Sequence, residues 1–592
     1  LAGCGRRQAG QTDRLAVVSF ENLSSNFESD WMRRAVAAAL ASDLAGAPDV
    51  HAQTADSFSE AYAIPASQVL EGYFVERNGR IEIRAALADV KSSKRVKDFE
   101  VDGPSAGGLL PLVNQLAKQV SPSARPFQIT NAAAFRLFGE ALNATDRAAA
   151  LRAFESATRE APGFSLAYLD WVRTLVSAGD RQGALKVIEA AESGPADTID
   201  RAELEYTAAT LRGEANARKN SLETLVRLTP ANPKVLQELA ALEVNQRRFR
   251  EAGAHYEAAG RLNPDEPENW NQMGYAWAFA EDLARARTAL QHYQELLPKE
   301  NVNSLDSLGE VSFFLGDFSG AAKYFLEADQ KNRGQFGGAE LLKAAQARLL
   351  AGDLSEADGL FQKYAALLQG GQKSRAEYQR AQWDFLTGRR KAAMAGIEKI
   401  IAAGAGDDQS VAMSQLAIWR LDTGDTKAAA DLVDQAQARA VSPQARNLSL
   451  ACRVIVTAPA AASGSRLADA YALVLARKYA EATPLLEDLY RQTDPSRDGQ
   501  IRTMLAWAYV ETHRIADADR LLRVYPFPFS SGDSIFASLI FPRYIFLRGV
   551  VYERQGKRAD AKSAYQLYLK YAADVPDIFG DEATARKNLS GL

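Results

Sequence analysis

Catalysis and metal binding need particular side chains at particular spacings, and few such sets occur in this sequence. It holds four histidines and two cysteines: His51, His255, His292, His513, Cys4 and Cys452. No two of them have the spacing that zinc fingers, zinc proteases or iron–sulfur clusters require, so those centres are excluded. Two cysteines permit at most one bridge, which excludes a disulfide framework. Gly370-Gly371-Gln372-Lys373-Ser374 has the composition of a phosphate-cradling loop, but lacks the glycine before the lysine and the preceding strand. No Gly-x-Ser-x-Gly nucleophile elbow occurs either. His51 reads as a strand-end residue, Glu71 with Gly72 as a structural pair suited to a bulge, and Cys452 as a buried small hydrophobe. The chain therefore reads as a non-enzyme with no metal and no cofactor.

What remains is recognition chemistry. The 592 residues are several times a typical domain, with 47% hydrophobic and 24% charged residues. Lys and Arg number 70 against 74 Asp and Glu, a net charge of −4, which gives no electrostatic footprint for nucleic acid. No apolar run reaches the roughly 18 residues of a membrane-spanning helix.

The elements that position any site begin with residues 14–125. Arg14–Phe20 reads as a strand, Trp31–Leu44 as a helix, and Gln68–Arg77 with Arg80–Val90 as a hairpin around Asn78-Gly79. A further strand is expected over Arg95–Val101 and a helix over Leu109–Val120, before the Ser121–Pro126 linker. From residue 131 a repeat dominates. Pro230, Pro264 and Pro298 are 34 apart, and Ala150, Ala184, Ala252, Ala286, Ala321, Ala357, Ala393, Ala429, Ala482, Ala518 and Ala561 follow one register. Most of these alanines sit five residues past a turn such as Gly316-Asp317, Gly352-Asp353, Gly388-Arg389 or Gly424-Asp425. A small residue on the first helix of each unit (Ala240, Gly274, Gly309, Ala345, Ala381, Ala417, Ala470, Ala506, Gly549) would let the second helix approach. Arg218 replaces the register alanine in one loosened repeat.

The period, the turn and the set Trp270, Gly274, Trp277, Ala286 and Pro298 resemble the tetratricopeptide repeat, a helix–turn–helix unit. Phe20-Glu-Asn-Leu-Ser24 and Val69-Leu-Glu-Gly72, in that order, resemble the TolB amino-terminal-like domain, which implies a non-catalytic α/β fold in a bacterial envelope or signalling protein. Leu1-Ala2-Gly3-Cys4 resembles a bacterial lipobox, which implies lipid on Cys4. The expected fold is mainly α: a solenoid of about twelve tetratricopeptide-type helix pairs preceded by a small α/β domain. Its segments are a lipobox remnant and tether at 1–13, the α/β domain at 14–125, repeats at 131–440, an irregular joint at 441–465 and C-terminal repeats with an aromatic insertion at 466–592.

The resemblance implies a lipid-anchored, non-catalytic interaction scaffold or accessory subunit on the periplasmic side of a bacterial membrane, the outer membrane ahead of the inner. Its partners would be other proteins, its only membrane contact the lipid, and nucleic acid would not be bound. The alternative is a cytoplasmic signalling or regulatory repeat protein truncated from a larger chain. Arg348, Asp384 and Arg420 stand where helix A commonly carries a large residue, so they either pair across repeats or face the groove. Phe527, Phe529, Phe536 and Phe541 belong to an insertion that either folds onto the last repeats or offers an apolar patch to a partner.

Overall fold

The computed structural model describes residues 12–592 except 26, 106–107, 126–130, 193–197, 300, 333–336, 369–372, 458–461, 529–540 and 572. The chain divides into two compact units, Leu1–Leu242 with Ala254–Asn269, and Glu243–Gly253 with Trp270–Leu592.

The first unit opens with a sheet. Strands β1 (Asp13–Val18), β2 (Glu21–Asn22), β3 (Val50–Ala55), β4 (Gln68–Arg77), β5 (Arg80–Asp89) and β6 (Arg95–Pro104) alternate with α1 (Met32–Leu44), α2 (Phe58–Ala63) and α3 (Leu110–Val120). The order is β3-β1-β4-β5-β6, with β2 beside β4. The run Leu15–Val18 is buried, as a central parallel strand requires, and pairs β3 and β4 in parallel. The β4–β5 hairpin turns at Asn78 and Gly79 with φ of 50° and 71°, as the Asn-Gly pair requires. Leu15, Val17, Leu70, Phe74 and Ile83 form one core with Val36 and Leu40 of α1 and Val113 and Leu116 of α3. Gly72 is obligatory for closeness: a Cβ there would stand 2.4 Å from the Phe20 ring and 2.5 Å from the Arg84 carbonyl oxygen.

This core does not stop at the linker expected from Ser121 to Pro126. Phe135, Phe138, Phe154 and Phe164 of the first repeats belong to it. Gly139 lies so close to Trp31 that a Cβ would come within 2.6 Å of it.

The repeats follow as antiparallel pairs: α4 (Ala132–Asn143) and α5 (Arg147–Glu160), α6 (Ser165–Ser177) and α7 (Arg181–Glu192), α8 (Thr198–Arg212) and α9 (Ala215–Leu228), α10 (Pro233–Asn245) and α11 (Phe249–Leu262), α12 (Pro267–Phe279) and α13 (Leu283–Leu296). Next come α14 (Asn303–Phe314) and α15 (Phe318–Asn332), α16 (Ala339–Leu350) and α17 (Leu354–Leu367), α18 (Lys373–Leu386) and α19 (Arg390–Ala403), α20 (Gly406–Asp422) and α21 (Thr426–Arg439). A single helix, α22 (Pro443–Thr457), precedes α23 (Arg466–Leu475) with α24 (Tyr479–Gln492), α25 (Gly499–Glu511) with α26 (Ile515–Leu522), α27 (Arg543–Arg554) with α28 (Arg558–Leu569), and the closing α29 (Asp581–Gly591). The chain is thus a solenoid of about twelve helix pairs preceded by a small α/β domain.

Small residues let paired helices approach closely. A Cβ on Gly309 would come within 2.5 Å of the Phe325 ring, and one on Gly549 within 2.6 Å of Tyr565. From Ala184 to Ala561 the register alanines of helix B are completely buried. The turn between helices A and B needs a left-handed residue: Gly316, Gly352, Gly388 and Gly424 have φ of 82–88°. The following Asp317, Asp353 and Asp425 accept from the first-turn amides of helix B and so cap it. Successive repeats stack through rings, Phe361 on Trp383 at 4.5 Å and Phe385 on Trp419 at 4.4 Å.

The stretch 441–465, expected as an irregular joint, contains α22. Pro443 starts it, the Ser442 hydroxyl accepts from the Ala445 amide, and Ala445, Ser449, Cys452 and Ile455 supply a buried helical stripe.

Candidate interaction surfaces

No group of three or more His, Cys, Asp or Glu among the described residues is placed to hold a metal ion. His51 on β3 is buried, and burial with the Lys234 and Arg14 charges pushes its pKa down to about 4. Cys452 is completely buried, and burial pushes its thiol well up from its ordinary value, so it is a poor nucleophile. Among the described residues no helix is long and apolar enough to cross a membrane.

In the second unit, the three charged residues singled out from the sequence all form ion pairs. Arg348 on α16 meets Glu356 of α17 at 3.1 Å. Arg420 on α20 reaches back to Glu398 of the preceding repeat at 2.9 Å and lies 3.8 Å from Asp425 in its own turn. Asp384 on α18 accepts from Arg380 at 3.1 Å and from Arg389 at 2.9 Å. Arg389 also holds Asp358 of the preceding repeat at 2.9 Å, and Asp358 accepts from the Trp383 indole at 2.6 Å. Asp384 is therefore one end of a network across two repeats. A second network went unseen in the sequence: Lys343 of α16 bridges Asp306 and Glu310 of α14 at 2.7 and 2.6 Å, and Tyr275 donates to Glu310. Burial pushes Asp306 up to about 6.

Asp384 and Arg380 also line an open furrow of about 730 Å³ over α17, α18 and α19. Its lining is dominated by small residues (Ala365, Ala366, Ala376, Ala381, Ala392 and Gly396), with Glu377, Arg380 and Lys399 as charged members.

The described aromatic residues of the insertion pack on their own unit. Phe527 stacks on Phe313 at 4.1 Å, and Tyr525 meets Phe318 edge-on at 4.9 Å. Phe541 is buried and lies 5.5 Å from Tyr571. Phe529 and Phe536 lie outside the described residues, as does Cys4.

The C-terminal segment reaches back to the helix A–helix B turns. Tyr525 N donates to the Phe314 carbonyl at 2.9 Å, Asp574 N to Gly388 at 3.0 Å and Ile578 N to Asp422 at 2.8 Å. Lys570 Nζ donates to the Gly352 carbonyl at 3.1 Å, and Tyr571 donates to that of Leu349. Two buried arginines fix the far end. Arg390 pairs with Asp422 at 3.1 Å and donates to the Val575 carbonyl. Arg543 pairs with Asp581 at 2.8 Å, lies 3.8 Å from Asp577, and stacks on Trp507 and Phe579. None of these five charged residues was singled out from the sequence. The turn glycines at 36-residue intervals were the one available signal, since they mark where helix A ends.

On the α/β domain, a cleft of about 830 Å³ opens beyond the carboxyl ends of β1 and β3, where the parallel strand order reverses. Its arginines are engaged: Arg84 with Glu82 and Glu100, Arg95 with Asp98, and Arg33 with the Phe20 carbonyl.

No family model matches the chain, and no curated protein matches it. Among solved structures it is similar to the C-terminal part of a TPR repeat-containing protein from Cytophaga hutchinsonii, at 16% identity over 40% of this chain and 96% of that one, TM-score 0.34. It is also similar to a tetratricopeptide repeat protein from Parabacteroides merdae, at 14% identity over 48% and 98%, TM-score 0.30. A third is the structure titled Naa15/Naa10 bound to HypK-THB, at 13% identity over 77% and 79%, TM-score 0.28.

Proposed function

We propose that this protein is a non-catalytic scaffold that binds other proteins along its solenoid, and that lipid on Cys4 holds it at the periplasmic face of a bacterial membrane, the outer membrane ahead of the inner. The furrow over α17–α19 is the observation that carries the binding half. An α-helix with its side chains is about 10–12 Å across, and its backbone comes closest where the receiving surface is alanine and glycine. Here six small residues supply that surface, and Glu377, Arg380 and Lys399 offer charges of both signs to orient an amphipathic partner helix. The anchoring half is supported by Leu1–Cys4 alone.

The test is purification of the full chain from gently solubilised membranes, beside its Gly396→Trp variant. The reading expects a stoichiometric protein partner with the parent that is reduced at least tenfold with the variant. Recovery of both as lone monomers would sink the scaffold. Radiolabelled palmitate should enter the parent and not Cys4→Ser; equal labelling would remove the anchor.

A further inference from the structure

A helix leaves its last carbonyls without intrahelical partners. In a helix–turn–helix array such carbonyls recur once per repeat along the turn edge, away from the groove that helix A lines. Four consecutive repeats of the second unit present them at Phe314, at Gly352, at Gly388 and at Asp422. On the last two lies one stretch of the same chain, with backbone amides four residues apart: Asp574 N on the Gly388 carbonyl and Ile578 N on that of Asp422, while the Lys570 side chain reaches the Gly352 turn. Asp574 and Ile578 are four residues apart, and the carbonyls they meet, Gly388 and Asp422, belong to successive repeats. Peptide and array are in step.

The contacts have the character of peptide recognition. Asp574 N and Ile578 N bind carbonyls, the Asp574 carboxylate accepts from the first-turn amide of Lys391 at the N-terminus of α19, and Arg390 donates to the Val575 carbonyl. Asp574, Pro576 and Ile578 are exposed, Ile578 keeping 40% of its surface, while half-buried Val575 packs against the Ala381–Phe385 core and Asp577 lies beside Arg543. A stretch held mainly by backbone hydrogen bonds and charge, with no fully buried residue among 573–578, lies below the helical core in local stability.

We infer that the helix A–helix B turn edge of α16–α21 is a binding track for a peptide segment with an aspartate four residues before a branched aliphatic residue, and that Ala573–Ile578 occupies it as a tethered ligand. Track and furrow are separate surfaces, so the failure of one leaves the other standing. A partner segment of that chemistry binds by displacing the tethered one.

The test uses the full chain and a fluorescein-labelled peptide of the sequence 570–580. Asp574→Pro with Ile578→Pro removes both amide donors and leaves the track untouched. Two lost backbone hydrogen bonds shift the tethered-to-released ratio by about tenfold to hundredfold. The peptide should therefore bind the variant at least tenfold more tightly than the parent, by anisotropy, and a peptide with alanine in place of Asp574 should bind more weakly. No binding to a variant whose circular dichroism matches the parent would overturn the inference, as would equal binding to both. Hydrogen exchange of the parent guards against a variant that fails to fold. The Asp574 and Ile578 amides should exchange at least tenfold faster than those of α18 and α20, and equal protection would show the segment to be fixed core.

Discussion

Replacing Arg543 by methionine should destabilise the C-terminal repeats in a pH-dependent way. Its guanidinium is buried, 2.8 Å from Asp581 and 3.8 Å from Asp577, and stacked on Trp507 at 3.8 Å and Phe579 at 4.3 Å. Removing one partner of a buried ion pair typically costs about 3–5 kcal/mol, because the other charge stays behind without compensation. Here the charge left behind can be neutralised. Burial already pushes Asp581 up to about 7 with Arg543 present, and Asp577, Asp422 and Glu511 push in the same direction. A carboxyl whose folded pKa lies above its unfolded value binds protons in the folded state first. Its ionisation therefore costs stability, by an amount that is absent below about pH 4 and complete above about pH 7. Without Arg543 the carboxyl protonates still more readily and escapes that full penalty, so Arg543→Met should cost about 1 kcal/mol more at pH 8 than at pH 5, one pH unit above 7 being worth at most about 1.4 kcal/mol. Asp581→Asn in the same chain should remove the difference between pH 5 and pH 8. Repeat arrays need not unfold in one step, so the assay is hydrogen exchange of α27 and α29 amides at the two pH values. A cost that is equal at pH 5 and pH 8, or smaller than about 1 kcal/mol at pH 8, would refute the reasoning.

Three further outcomes are expected. Gly309→Val forces a Cβ to within 2.5 Å of Phe325 and should cost about 1–3 kcal/mol, read as faster amide exchange in α14 and α15 with the α/β domain unaffected. Gly72→Ala meets both the Phe20 ring and the Arg84 backbone, so thermal unfolding should show the α/β domain weakened, and an unchanged midpoint would contradict that packing. His51, held neutral down to about pH 4, should show no imidazole titration by NMR between pH 5 and 8. Because its unfolded pKa is higher, its contribution to stability is lost as pH falls from about 6.5 towards 4.

The repeat was legible because its physics is local. A glycine at a left-handed turn and an alanine wherever two helices touch recur at fixed intervals, and Gly316, Gly352, Gly388 and Gly424 stand in the turns as their spacing implied. The Asn78-Gly79 hairpin was legible for the same reason. Helix α22 was missed because neighbouring proline, serine and alanine residues read as a break, although Ser442 and Pro443 form an N-terminal cap and start. The sharing of one core by α1 and α4 was hidden too, since a proline-flanked linker says nothing about the packing of the helices beyond it. The seat of Ala573–Ile578 left no side-chain signature, because its receptors are carbonyls, which every residue carries. Asp384 shows the remaining gap: its position on helix A was readable, but its bonds to Arg380 and Arg389 and its place in the furrow depend on residues from three helices.

The scaffold reading is tested most directly by a photo-crosslinking residue placed in the living cell at Lys399, in the furrow, and at exposed Lys323 as a control. The account predicts one discrete adduct from position 399 that maps to an amphipathic helix of a partner protein, is lost with Gly396→Trp, and is not given by position 323. Adducts of equal yield from both positions, or none from 399, would contradict it.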